Sequence, residues 1–152
     1  MRTAWITGAI LLFLGGLTAV RAGTSAPNLP AGPIRERNDL MEGIGKNAKT
    51  IGDALKSGNS VPVAAAAEQI QRDAGRITAL FPPGSTHQQS RAKADIWQQW
   101  AKFEGGAKEL QAKAAALAVA AQGGGDVRGG AQAMFDTCKS CHDQFRIPDK
   151  KG

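Results

Sequence analysis

From residue 33 onward, apolar side chains recur at three- and four-residue steps and never alternate as they would along a strand, which predicts helices throughout. The first segment, residues 33–56, places Ile34, Met41, Ala48 and Leu55 seven apart, with Ile44 and Ile51 between them. Pro33 suits a first helical turn and Ser57-Gly58 a stop. The second, residues 61–81, carries Val63, Ala67, Ile70, Ala74, Ile77 and Phe81, and ends at Pro82-Pro83-Gly84. The third, residues 92–121, runs through Ile96, Trp100, Phe103, Ala107, Leu110, Ala114, Leu117 and Ala121. Gly105-Gly106 weakens it without breaking it, and three glycines after Gln122 end it. The fourth, residues 126–146, starts at Asp126, a good N-cap, and stops before Pro148. Its stripe is Ala131, Met134 or Phe135, Cys138, Cys141 with His142, and Phe145. Such stripes pack helices at shallow angles, so the expected fold is all-α, an antiparallel four-helix bundle.

The N-terminus is of another kind. Met1-Arg2 precedes an uncharged, mostly apolar stretch, and Val20-Arg21-Ala22 fits a cleavage site. Residues 1–22 are therefore expected to be a secretory signal peptide and residues 23–152 the domain it exports, to the periplasm. An uncleaved segment would be the one means of membrane attachment. Cleavage removes Arg2 and Arg21, leaving 17 basic against 13 acidic side chains, a net of +4. Without basic clusters interleaved with aromatics, that charge does not argue for nucleic acid. It favours acidic partners weakly.

The chain's two cysteines lie in Cys138-Lys139-Ser140-Cys141-His142, the attachment signature of a c-type haem. On a helix, positions i, i+3 and i+4 share a face, so Cys138 and Cys141 can form thioethers to one haem while His142 ligates its iron. A disulfide between cysteines three apart on a helix is poorly placed and leaves the histidine unexplained. A thiol-redox motif would sit beside a strand that the pattern lacks. Zinc would need further ligands, and the other histidine, His87, falls in a loop. Neither histidine has acid–base partners, so no enzyme is expected. Arg37 occupies a stripe position where an apolar residue belongs; it is either a haem-propionate partner or an arginine whose stem covers apolar surface.

A haem motif on the last of four helices resembles the cytochrome c-prime family. Arg37-Asn38-Asp39-Leu40-Met41 with Gly45, Ile96-Trp97 with Phe103, and Cys138 to Arg146 are similar to three of that family's patterns, in the same order. The resemblance implies one covalent haem c, a position for Met41 on the haem face opposite His142, and frequent homodimers through the first two helices. Elimination also supports Met41. Met1 leaves with the signal peptide, and Met134 lies roughly 12 Å along the helix from His142, on the wrong side of the ring. Haem-contacting candidates are Arg37, Ile44, Trp97, Phe103, Phe145 and Arg146.

The resemblance implies two modes. In one, Met41 sulfur binds the iron and the low-spin protein is a one-electron carrier for redox partner proteins; Gly45 and the Ile-Trp…Phe pattern make this the expected mode. In the other, the iron is five-coordinate and high-spin, and a distal site walled by Met41 and Ile44 takes nitric oxide or carbon monoxide. A peroxidase would want a polar distal group, and none stands out beside Met41.

Overall fold

The computed structural model describes residues 29–148. The expected signal peptide lies outside the described residues. No helix among those described is long and apolar enough to cross a membrane.

The elements are α1 (Pro33–Ser57), α2 (Val61–Ala74), a short 3-10 turn (Thr78–Leu80), α3 (Asp95–Gln98), α4 (Trp100–Gly123) and α5 (Val127–Phe145). The long helices α1, α2, α4 and α5 form the expected all-α bundle, and no strand is present among the described residues, only one isolated bridge between Ala92 and Arg146. Long seams join α1 to α2, α2 to α4 and α4 to α5, whereas α1 meets α5 at few points. That thin seam makes room for the site described below.

The core is made where the stripes meet. Ile51, Val63, Ile70, Ala114, Leu117 and Met134 are fully buried. On α1 the core face is Leu40, Ile44, Ile51 and Ala54. Met41, Ala48 and Leu55, which the seven-residue spacing put on one line, are only partly buried beside it. Gly58 closes α1 in the left-handed conformation, φ 71°, a backbone that glycine adopts without cost.

Two segments depart from the expected helices. The second ends at Ala74 rather than residue 81. The flexible end of the Gln111 side chain on α4 reaches to 2.9 Å from where a Cβ of residue 75 would stand, and the glycine there disfavours continuing the helix. The third is split at Gln99, whose φ of −116° and ψ of 38° are not helical. The break lets Trp97 and Phe103 face different ways. The Trp97 indole N–H donates to the carbonyls of Phe81 (3.2 Å) and Pro82 (3.0 Å), while Phe103 turns into the core. By contrast, Gly105-Gly106 lies inside an unbroken α4.

The N-cap of α5 forms as expected, the Asp126 carboxylate accepting from the Gly129 N–H at 2.8 Å. Asp126→Ala should cost about 1 kcal/mol, read as a lowered urea midpoint with unchanged slope.

Candidate functional site

On α5 the helical register turns Cys138, Cys141 and His142 toward the thin α1–α5 seam. Two adjoining cavities open there, of about 450 and 230 Å³. Met41, Phe103, Cys141 and His142 line both, so the two are compartments of one slot with α1 on one side and α5 on the other. Cys138 and Cys141 are both free thiols, and no cluster that could hold a bare metal ion occurs among the described residues.

The compartments differ in chemistry. The smaller is apolar, walled by Met41, Ile44, Ala48, Ile77, Ala107 and Leu110, with Cys138 at its edge. The larger reaches solvent and carries Arg37, Arg91 and Arg146 as well as Phe145. A haem needs both: an apolar compartment at the thiols for its vinyl edge, and cations at an open edge for its propionates. The donor set and the two-ended polarity of the slot fit that group. Gly106 on α4 lies beside the attachment point, where a Cβ would make ordinary contact with Cys141 Sγ at 3.8 Å.

Burial raises the pKa of both thiols, and the charge of Cys138 adds to the rise at Cys141. For His142 the shift is downward, from the protein packed around the ring and then from the positive charges of Arg146 and Arg91, against a smaller opposing effect of Asp143. A neutral imidazole is the form that ligates iron.

Of the candidates, Arg37, Met41, Phe103, Cys141, His142, Phe145 and Arg146 line the larger compartment, and Ile44 and Cys138 line the smaller. Trp97 lines neither. Its indole is held by the carbonyls of Phe81 and Pro82, and its neighbour Ile96 faces the slot instead. Phe103 stacks edge-on against Phe81 (4.8 Å) and Phe145 (5.5 Å), forming the floor of the slot.

Arg37 is only 4 % exposed, although polar. Its guanidinium donates to Ser85 Oγ (2.9 Å), the Ser85 carbonyl (2.8 Å) and Ser90 Oγ (2.7 Å), and stands 4.7 Å from the centre of the Phe81 ring. The loop serines that satisfy it were invisible to helical periodicity. So were Asn38 and Glu42, which line the larger compartment and hydrogen-bond each other at 3.0 Å. An i,i+4 amide–carboxylate spacing was the one signal that could have found them.

Comparison with known proteins agrees with the site. A family profile described as Cytochrome C' matches residues 32–146. A cytochrome c' of Rhodospirillum rubrum is 32 % identical over 142 residues, 90 % of this chain and 95 % of that protein. One from Rhodopseudomonas palustris is 30 % identical over 141 residues, 88 % and 92 % of the two chains. The solved cytochrome c prime of Shewanella frigidimarina superposes with a TM-score of 0.73 at 27 % identity, covering 80 % of this chain and 98 % of that one. A nitric oxide complex of a cytochrome c prime variant from Alcaligenes xylosoxidans, 21 % identical, shares the fold with a TM-score of 0.68 over 78 % of this chain and 98 % of that one. The expected likeness to low-spin, methionine-ligated members is not borne out. Of the residues that suggested it, Ile96 and Phe103 are buried core, Trp97 fastens a loop, and Gly45 lines the smaller compartment.

Proposed function

Because the chain belongs to the cytochrome c' family, whose members hold one covalently attached haem c, we propose that it is a five-coordinate, high-spin haem protein that binds nitric oxide or carbon monoxide. The haem would be held by thioethers from Cys138 and Cys141 and by His142 as axial ligand. When bound, it supplies reversible one-electron redox chemistry and affinity for diatomic gases. The observation that carries the reading is the wall facing His142. Met41 lines both compartments with the histidine, and Ile44 and Ala48 continue that wall into the smaller compartment without a polar group, while Asn38 and Glu42 face the larger one. The apolar part of the wall disfavours water and presents to an incoming gas a flexible thioether that yields by rotation.

The protein's own residues do the rest. Neutral His142 keeps its lone pair for the proximal bond, Arg91 and Arg146 bring positive charge to the open edge, and Phe103 and Phe145 hold the floor rigid. Electron exchange with partner proteins, homodimers through α1 and α2, and export by residues 1–22 belong to the same proposal.

The ferric holoprotein should show a high-spin spectrum that Met41→Ala leaves unchanged, and the ferrous form should bind carbon monoxide several-fold faster in that variant. A low-spin spectrum with a sulfur-to-iron band that disappears in Met41→Ala would instead establish methionine ligation and the dedicated electron carrier.

A further inference from the structure

The two walls of the slot touch directly at few points and are fastened to each other chiefly by residues 85–93. On the α1 side, the fastening is the buried Arg37 guanidinium, bound to Ser85 and Ser90, one turn before Met41. The α5 side is stitched more heavily. The Ile147 N–H donates to the Arg91 carbonyl (2.7 Å), and the Lys93 N–H to the Phe145 carbonyl (2.9 Å). Arg91 Nε and Nη2 return to the Ile147 carbonyl at 3.2 and 3.0 Å. Lys93 Nζ donates to the carbonyls of Asp143 (3.1 Å) and Gln144 (3.0 Å). These are the last turn of α5, next to His142, where a cation also complements the helix dipole. Between its two anchorages the segment lines the larger compartment with Ser90, Arg91 and Ala92.

We infer that residues 85–93 are a tie between the distal wall carrying Met41 and the proximal helix carrying His142, with Lys93, Ser85 and Ser90 as positioning residues that set the width of the slot. A gas entering on the Met41 side must move that wall outward, and α1 has few other contacts with α5 to resist it. The tie supplies the resistance and passes the displacement to the helix end beside His142. It therefore sets how readily Met41 yields. The five-coordinate reading supplies the probe for this inference.

The test is carbon monoxide recombination with the ferrous holoprotein after flash photolysis. Lys93→Met loosens the tie at α5 by removing the two Nζ bonds, and the double variant Ser85→Ala/Ser90→Ala loosens it at α1 by removing two of the three bonds to Arg37. Each should speed association about fivefold, the effect of losing hydrogen bonds of ordinary net strength. The triple variant should be faster than either by less than the product of their two effects, because both loosen one tie. The iron–histidine vibration should also shift in Ser85→Ala/Ser90→Ala, whose changes lie on the strap rather than on the helix that carries His142. Lys113→Met removes an exposed cation from α4, away from the slot and the tie, and should leave the rate unchanged. Unchanged rates in the strap variants, rates that multiply in the triple variant, or an effect of Lys113→Met as large as that of Lys93→Met would each overturn the inference. The wild-type spectrum decides five-coordination, and the ratios of rates decide the tie. The two readings can therefore fail separately.

Discussion

Replacing Cys138 with alanine should reduce covalently held haem to a small fraction of the wild-type yield, and replacing Cys138 and Cys141 together should abolish it. The measurement is haem stain on a denaturing gel, with the protein exported alongside the haem maturation machinery. Each cysteine supplies one sulfur at the edge of the apolar compartment, and no other thiol exists in the chain. The loss should reach beyond attachment. Since α1 and α5 make few direct contacts, a haem held at the motif would be the main filling of their seam. Tethered haem stabilises the fold at any dilution, while haem held by His142 and burial alone stabilises only as far as mass action allows. The double variant should therefore unfold at lower temperature, and its melting should rise with added haem. Full staining of the double variant would exclude thioether attachment at this motif.

That site was legible from five residues because covalent chemistry constrains spacing more tightly than packing does. Two sulfurs and an imidazole on one helical face leave few cofactors to choose from. Met41 was singled out by exclusion, since helical rise put Met134 out of reach, and it does line the slot with His142. Spin state was not legible. It depends on displacements of α1 that are small beside a side chain, and the pattern used to judge it, Ile96-Trp97…Phe103, is spent on core packing and a loop anchor.

The fold divides along similar lines. Long amphipathic stripes fixed α1, α4 and α5 to within a residue or two at most ends, because burying one face dominates their energetics. The breaks at Gly75 and Gln99 were not foreseen. At Gly75 the end of the Gln111 side chain packs in from α4, and contacts of that kind lie far apart in sequence. At Gln99 the chain must turn Trp97 toward the carbonyls of residues 81 and 82 while turning Phe103 into the slot. The strap was equally hidden: residues 85–91 fell between the expected second and third helices and residues 92 and 93 were expected to open the third, whereas Arg37 and the end of α5 hold the whole segment.

Arg37→Leu should destabilise the holoprotein by about 3–5 kcal/mol, a large share of the ~5–15 kcal/mol that holds a domain of this size together. Periodicity alone left Arg37 open to two readings, and its surroundings separate them. A snorkelling arginine would keep its head in water, but this residue is 4 % exposed, with three of its donors bound to Ser85 and Ser90 and its plane near Phe81. Burial lowers its pKa, yet an arginine remains charged, so the desolvated cation depends on those acceptors. Each bond to a charged group is worth about 1.5–3 kcal/mol, less than additively when they share one donor group. Leucine fills part of the volume but strands the acceptors on the strap. Arg37→Lys should recover less than half of the loss, because one ammonium cannot span acceptors placed for a planar fork. Urea unfolding followed by circular dichroism measures both. A loss below about 1 kcal/mol in Arg37→Leu would mean that the stem, not the guanidinium, is what the fold uses, and the tie would then have to hold α1 through the Phe81 ring instead.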